Sequence, residues 1–274
     1  MLTTLAGSPN VTPNRGRPMR DEIVWTVADG IGTVTLNRPE KRNAMNVALL
    51  TGLRLCFERL DERNDVRVVV VRGAGPAFCA GMDLSEMEKQ RGVASEQESG
   101  VVGVLQRVER SRHPTIAMIN GDAIAGGCEL ALHCDLRVAA DTARLGMPLA
   151  RIGLVAPFPL TQKLIETIGP AFTRQLLFTG RLVDAQRAYE MGMVHQVVPA
   201  ADLETTTSTL ARGIADNAPL SLTGTKAVIL RAMSPREIAH DDLNIVVQRA
   251  RQSADASEGR RAMLEKRAPE FRGR

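Results

Sequence analysis

Four consecutive valines at residues 68–71 constrain the fold of this chain more than any other feature. An unbroken β-branched run is typical of a strand that is covered on both faces, as the strands of parallel sheets are. The order of strand, glycine turn and helix recurs from residues 115–120 onward, and a further strand is predicted at 136–139. Because strands joined by crossover helices form right-handed parallel units, the sequence predicts an α/β fold.

The segments before and after this core differ in predicted secondary structure. Strands predicted at 23–27 and 31–36 flank an Asp-Gly turn and form a hairpin. The apolar spacing at 46–60 predicts a helix that Asn46 caps. Beyond about residue 158, strands nearly disappear. Helices bounded by glycine and proline are predicted there at 159–168, 171–179, 183–191, 201–217, 219–232, 235–252 and 255–267.

We therefore expect three parts. Residues 1–20 are rich in Pro, Gly, Thr and Arg without periodicity, which is typical of a loose leader. Residues 21–200 form the α/β core, and residues 201–274 form a helical C-terminal region whose helices can pack on a neighbouring subunit.

Composition narrows the classes of function. Aromatic residues make up only 3% of the chain, so stacking on aromatic rings is not the expected mode of binding. The four cysteines show no Cys-x-x-Cys pair and no metal-type spacing with the four histidines, so we expect no metal site. The sequence shows no signal peptide and no apolar run of membrane-spanning length. We expect a cytoplasmic protein that binds neither nucleic acid nor membrane.

The net charge of +4 arises mainly from the two ends of the chain. Arginines at positions 15, 17 and 20 mark one end, and a basic run that includes Lys266 marks the other. A cationic end can neutralise a phosphorylated ligand, and it can equally be a solvated surface. Charge alone leaves both interpretations open.

Two glycine-rich stretches, at residues 77–84 and 120–130, carry the chemistry. Each follows a short apolar strand and leads into a predicted helix. The first N–H groups of a helix have no intrahelical acceptor and lie at the positive end of the helix dipole. Two such turns brought together can hold one oxyanion. Glu129 lies one turn inside the second helix and is a candidate proton carrier.

Several common sites are excluded by their missing motifs. Gly73-Ala74-Gly75 does not extend to the dinucleotide-binding pattern, and no nucleophile elbow, Walker lysine or His-Glu-x-x-His zinc motif is present. Nicotinamide, serine-hydrolase, nucleotide-hydrolase and zinc-enzyme functions are therefore not expected.

From about residue 22 to its end, the chain resembles the enoyl-CoA hydratase/isomerase family, the crotonase superfamily. The matching segments are 36–39 with 43–46, 77–84, 120–135, 178–180, 188–192 with 197–199, and 258–271. The resemblance implies a crotonase-like spiral of ββα units followed by a C-terminal helical trimerisation region. A homotrimer or a dimer of trimers is accordingly expected.

The resemblance also implies roles for individual residues. The amides of Met82 and Gly126 would bind the thioester carbonyl of an acyl-CoA, because donors already in place stabilise the charge of a developing enolate. Ala44 and Ala80 lie where the family surrounds the nucleotide part of CoA, and Lys266 matches a lysine that reaches CoA phosphate. The other residues of the predicted substrate-binding turns are Gly81, Asp83 and Gly127, with Asp83 expected to cap the helix that begins at Leu84. No cofactor is implied apart from the CoA of the substrate.

Glu129 matches the first of two glutamates that handle water in the hydratases, and Leu149 stands in place of the second. Hydration needs one group to deprotonate water and another to protonate carbon. This chain keeps only one of the two glutamates that the hydratases use for these steps. An apolar Leu149 should also favour the protonated form of Glu129. His133, one turn further along the helix, is expected to be a packed side chain.

Three functions remain open at this stage. Hydration or dehydration of an enoyl-CoA is the default, and isomerisation follows because one base can move one proton between carbons. The third is a non-catalytic acyl-CoA-binding or regulatory protein. Asp122 or Glu88 is an alternative replacement for the missing acid, although Asp122 precedes the turn.

Overall fold

The structure, a computed structural model, describes residues 21–89, 100–233, 248 and 252–270. The strands are β1 (Ile23–Ala28), β2 (Ile31–Leu36), β3 (Val68–Gly73), β4 (Ala77–Cys79), β5 (Thr115–Ile119), β6 (Asp122–Ile124), β7 (Leu136–Ala140), β8 (Arg144–Gly146), β9 (Val183–Asp184) and β10 (Gln196–Val198). The helices are α1 (Val47–Asp61), α2 (Leu84–Lys89), α3 (Val101–Glu109), α4 (Gly126–Leu132), α5 (Phe158–Thr179), α6 (Ala185–Glu190), α7 (Leu203–Ala215), α8 (Pro219–Met233) and α9 (Ala254–Leu264).

The larger sheet has six strands in the order β1-β2-β3-β5-β7-β10. β1 and β2 form the predicted antiparallel hairpin, and Asp29 and Gly30 both adopt positive φ values, of 51° and 77°, as its tight turn requires. Every other neighbouring pair in this sheet is parallel. The α/β fold predicted from the valine run is thus confirmed.

β3 explains why that valine run is continuous. Val69 and Val71 pack in the larger hydrophobic core, whereas Val68 and Val70 pack in a smaller one. Successive side chains of a strand point to opposite faces, so the two cores lie on opposite sides of the sheet. The smaller core is completed by α7, through Leu203 among others.

A second sheet, in the order β4-β6-β8-β9, positions the candidate site. β4 and β8 each pair with β6 in parallel, and all three strands are only three residues long. Strands this short give little hydrophobic periodicity, which is why the sequence did not separate them from the glycine turns. Parallel pairing places the carboxyl ends of β4 and β6 side by side.

The predictions for the second half of the chain need correction. The segment at 183–191 begins as strand β9, and the helix starts only at Ala185, where the Asp184 side chain caps it by accepting from the Arg187 amide. Strands do nearly stop beyond residue 158, and the other one described there, β10, joins the six-stranded sheet beside β7 without having been predicted. These strands are only two and three residues long and depend on pairing with distant segments.

Other helical predictions match more closely. The helices at 159–168 and 171–179 adjoin as α5, whose geometry breaks at Gly169 (φ 70°, ψ 168°). The helix at 201–217 forms as a 3₁₀ turn at Ala200–Asp202 followed by α7. Apart from residues 248 and 252, the helix predicted at 235–252 lies outside the described residues, as does the leader at 1–20.

The helix α9 packs against the 3₁₀ turn Pro148–Ile152. A methyl group on Gly259 would lie 2.4 Å from the Ile152 Cα, so the two backbones are in close contact. The last described helix therefore lies over the segment that carries Leu149. No helix among the described residues combines the length and the hydropathy needed to span a membrane.

Candidate active site

The two glycine-rich stretches meet at the carboxyl ends of β4 and β6. Gly81 has a φ of 93°, and a methyl group there would lie 2.8 Å from the Ile124 carbonyl oxygen and 3.3 Å from the Gly126 nitrogen. A methyl group on Gly127 would lie 2.1 Å from the Cys79 carbonyl oxygen. Glycine is therefore required at both positions by close approach of backbone, and at Gly81 also by the left-handed conformation.

The amide of Met82 is held in place by its neighbours in sequence. Met45 pairs with this strand end, donating from its amide to the Gly81 carbonyl at 2.7 Å and accepting from the Asp83 amide at 2.9 Å. Within the described part of the chain, the Met82 N–H itself has no acceptor. This donor is fixed in position and unpaired.

The second donor lies at the start of α4. Gly126 is the first residue of that helix, so its amide has no intrahelical acceptor. Ala125, which precedes it, has the strained angles φ 49° and ψ −119°, and its amide donates to the Gly146 carbonyl at 2.8 Å. A methyl group on Gly126 would lie 3.8 Å from the Met82 nitrogen. The two predicted donors are thus brought together, as an oxyanion site needs.

Glu129 lies in the first turn of α4, one residue beyond Cys128, and its side chain is 0% exposed. Neither carboxyl oxygen has a hydrogen-bond partner in the described residues. Burial raises the pKa of this carboxyl well above its usual range, and the positive charge of Lys163 partly opposes that effect. Burial without a hydrogen-bond partner therefore favours the protonated form of the Glu129 carboxyl group.

His133 is a packed side chain, as expected. One ring nitrogen, Nδ1, lies 2.8 Å from the Glu129 carbonyl oxygen and 3.9 Å from Glu129 Oε2, beyond hydrogen-bonding distance. Burial lowers the pKa of the His133 imidazole, which keeps the ring neutral.

The two alternative acids have different outcomes. Asp122 is buried and binds the guanidinium groups of Arg144 and Arg42, each at 2.6 Å. These arginines, Arg144 above all, hold the pKa of Asp122 below its ordinary value, so this acid is an ionised structural group. The side chain of Glu88 lies outside the described residues.

Leu149 occupies the 3₁₀ turn Pro148–Ile152, which follows β8. It is half-buried and, like Met82, packs against the larger core. The last residue of β8, Gly146, accepts a hydrogen bond from the amide of Ala125, the residue that precedes α4. The apolar side chain of Leu149 therefore lies three residues beyond the end of β8, the strand whose last carbonyl group holds the backbone just before the Gly126 amide.

A network that sequence reasoning missed organises the remaining predicted residues. Arg38 donates to the Ala44 carbonyl oxygen at 2.5 Å and to Asp83 Oδ2 at 3.2 Å. Asp83 caps α2 by accepting from the Ser85 amide at 3.1 Å, in agreement with the expected cap. Partial burial acts to raise the pKa of Asp83, but hydrogen bonds from Ser85 and Arg38 lower it overall.

The chain turns sharply between Arg38 and Ala44. Arg42 and Asn43 both adopt left-handed backbone angles, and the Arg42 carbonyl accepts from the Ala80 amide at 3.0 Å. The buried Asn43 amide group donates to the carbonyls of Ala74 and Ala77 at 2.9 and 2.8 Å. Asparagine tolerates this conformation better than most residues, which is the signal that could have identified the turn. The turn joins the backbone two residues before Ala44 directly to that of Ala80.

Lys266 follows the end of α9 and is exposed, with a φ of 55°. Nearby, Glu258 binds Arg261 and Arg267, and these charge-assisted hydrogen bonds hold its pKa far below the usual range. The basic tail is thus partly neutralised, while Lys266 remains exposed to solvent.

Comparison with known proteins is decisive about the family. The sequence model of the enoyl-CoA hydratase/isomerase family matches residues 26–274. This chain belongs to the enoyl-CoA hydratase/isomerase family. The resemblance found in its motifs is confirmed, and the chain is an acyl-CoA enzyme of the enoyl-CoA hydratase/isomerase type.

Individual relatives cover nearly the whole chain. A probable enoyl-CoA hydratase of Mycobacterium tuberculosis is 35% identical over 88% of this chain and 94% of its own length. The 2,3-dehydroadipyl-CoA hydratase of Escherichia coli is 34% identical over 92% of this chain and 99% of its own. The crystal structure of carnitinyl-CoA hydratase from Mycobacterium avium superposes with a TM-score of 0.82 at 31% identity, over 93% of this chain and 100% of that one. The crotonase fold of this family member is therefore confirmed.

Proposed function

We propose that this enzyme processes an enoyl-CoA through a thioester enolate, with Glu129 as its proton carrier. The observation that supports this most is the meeting of the unpaired Met82 and Gly126 amides one helical turn from an unpartnered, buried carboxyl group. Each donor aimed at a developing oxyanion stabilises the transition state by about 3 kcal/mol. Ala44, Ala80, Gly81, Asp83, Gly127 and Lys266 are proposed to bind the CoA part and the thioester.

Hydration or dehydration of the double bond is the default reaction, and Leu149 supports isomerisation as a second candidate. In isomerisation, the ionised Glu129 removes a proton from one carbon, and the electrons move toward the thioester oxygen. The resulting acid then returns the proton to another carbon, and Glu129 ends as it began. This cycle needs one acid, whereas hydration uses two positioned groups. Neither reaction requires a cofactor beyond the CoA of the substrate.

The test is turnover of crotonyl-CoA and of a longer enoyl-CoA, followed by loss of the enoyl thioester absorbance. Glu129→Gln should lower kcat by about 10²-fold or more, since positioned proton transfer contributes about 10²–10⁴-fold. Glu58→Gln, a change at a partly exposed side chain of α1 that is paired with Arg54, is the control and should match the parent. Equal activity of Glu129→Gln and the parent would refute the role of Glu129. Binding of acyl-CoA without turnover by the parent would support a binding protein instead.

We also propose a homotrimer or a dimer of trimers. Helix α8 leaves large apolar side chains exposed, Leu220 by 88% and Val228 by 70%, with Ile229 and Met233 also exposed. Several large apolar side chains exposed on one helix are typical of a protein interface. Sedimentation equilibrium should give a mass of three or six chains, and Val228→Glu should lower it, whereas a monomeric parent would contradict the proposal.

A further inference from the structure

The amide of Met82 is the last group of a hydrogen-bonded chain that begins at Arg38. The Arg38 guanidinium donates from Nη1 to the Ala44 carbonyl oxygen at 2.5 Å. The Met45 amide, which belongs to the same peptide group as that carbonyl, donates to the Gly81 carbonyl oxygen at 2.7 Å. The Gly81 carbonyl in turn shares its peptide group with the Met82 N–H. Two peptide groups thus connect a guanidinium to the proposed oxyanion donor.

The hydrogen bonds of this chain all run in the same direction. A trans peptide group is planar, its C=O and N–H point in opposite directions, and none of the described peptide bonds is cis. Each peptide group therefore accepts on the side nearer Arg38 and donates on the side nearer the oxyanion site. Aligned hydrogen bonds polarise one another, by about 10–30% per bond, and ionised donors form the strongest ones. The positive charge of Arg38 consequently strengthens the Met82 N–H as a donor.

Burial and two carboxylates hold the chain in place. Met45 is 0% exposed and the Arg38 side chain is 11% exposed, so both hydrogen bonds lie largely out of water. Arg38 also donates to Asp83 Oδ2 at 3.2 Å, and its Nε lies 3.3 Å from Glu22 Oε1. These carboxylates offset part of the positive charge, but both are farther from the guanidinium than the Ala44 carbonyl oxygen is. The shortest of these contacts of Arg38 is therefore the one that begins the chain.

We propose that Arg38 is a positioning residue that fixes and polarises the Met82 amide through the Ala44–Met45 and Gly81–Met82 peptide groups. This inference rests on the proposed function of the Met82 amide as an oxyanion donor. Donors that are fixed before the reaction stabilise developing charge without reorganisation. The second donor, Gly126, has a different source of polarisation, because it lies at the positive end of α4.

The proposal separates this chain from a simple tie between segments. Arg38→Met removes the charge and the first hydrogen bond, and it should weaken the stabilisation of a bound enolate by about tenfold, since removing an oxyanion donor altogether costs about 10²–10³-fold. Arg38→Lys keeps the charge on a more flexible side chain without the planar fork, so its effect should be smaller. The matched control is Arg107→Met, because Arg107 also binds a carboxylate and a carbonyl oxygen, those of Asp61 at 2.6 Å and Phe57 at 3.4 Å. This control should lower the melting temperature and leave enolate stabilisation unchanged.

The measurement is the ratio of enolate to neutral acetoacetyl-CoA bound to the full-length protein at one pH, followed by the absorbance of the enolate. Acetoacetyl-CoA forms its enolate in water without an enzyme, so all variants can be compared in the Glu129→Gln background, where the proposed proton carrier is absent. A ratio that falls in Arg38→Met and not in Arg107→Met supports the proposal.

A ratio that stays at the value of the background protein in both Arg38→Met and Arg38→Lys overturns the proposal, even where the melting temperature falls. A background protein that binds acetoacetyl-CoA without any excess of enolate over the free compound would refute the proposed oxyanion site, and this inference with it. The two failures are therefore distinguishable, and the turnover of Glu129→Gln separately decides the role of the proton carrier.

Discussion

The close approach at Gly81 allows the amide site to be disturbed without removing a side chain. In Gly81→Ala, the new methyl group would lie 2.8 Å from the Ile124 carbonyl oxygen, where ordinary contacts begin at about 3.5 Å. The two segments must therefore separate by about 0.7 Å or distort by an equivalent amount. The left-handed conformation at φ 93° adds a strain of about 1–2 kcal/mol for any residue with a Cβ.

Separation of the segments moves the Met82 amide relative to the Gly126 amide. Displacements approaching 1 Å in an active site lower rates by about 10²-fold. We expect Gly81→Ala to lower kcat for an enoyl-CoA by about this factor. The measurement is steady-state kinetics together with thermal unfolding.

Gly192→Ala is the matched control. Its φ of 82° carries similar backbone strain, but the nearest atom to its methyl group, the Thr167 carbonyl oxygen, lies at 3.4 Å. Gly192→Ala should lose the stability that backbone strain alone costs, Gly81→Ala should lose more because of the added close contact, and only Gly81→Ala should lose turnover. A folded Gly81→Ala enzyme with the kcat of the parent would refute the assignment of the oxyanion site to these two turns.

Three further predictions concern single side chains. Leu149→Glu should raise the rate of crotonyl-CoA hydration by at least about 10-fold and Leu149→Gln should not, because only a carboxyl group supplies the missing proton transfer. In the folded state, the Glu129 carboxyl group keeps a proton that the same group in the unfolded chain loses above about pH 4.3. The free energy of unfolding therefore falls as the pH rises above this value, by at most about 1.4 kcal/mol per pH unit. The free energy of unfolding of Glu129→Gln, measured with urea, should not fall in this way. The difference between the free energies of the variant and the parent should therefore change in favour of the variant between pH 5 and pH 7. Asn43→Ala should lower the free energy of unfolding by about 2–3 kcal/mol, because the carbonyl groups of Ala74 and Ala77 lose their hydrogen-bond donor. A urea midpoint Cm equal to that of the parent would contradict this prediction.

The core of the fold was predictable because its signals are local. The valines of β3 indicated a strand buried on both faces, and they divide between the two cores. The Asn46 cap of α1 was also readable, since its side chain accepts from the Leu49 amide three residues away. The three-residue strands of the second sheet were not predictable, because pairing between distant segments defines them.

In the candidate site too, some residues could be predicted from the sequence and others could not. The glycine turns and Glu129 lie within short motifs, so sequence alone pointed to them, and their roles in binding and catalysis stay predictions. The ion pair between Glu109 of α3 and Lys163 of α5 is different, because these residues are far apart in sequence and meet only when both helices pack beside α4. Each looks like an ordinary surface charge until the fold partly buries it.

The structure of a complex with an unreactive acyl-CoA thioester tests the central claim most directly. The thioester oxygen should lie within about 2.7–3.1 Å of both the Met82 and the Gly126 nitrogens. The Glu129 carboxyl group should face the α carbon of the acyl group. A thioester oxygen bound away from these two amides would contradict the account.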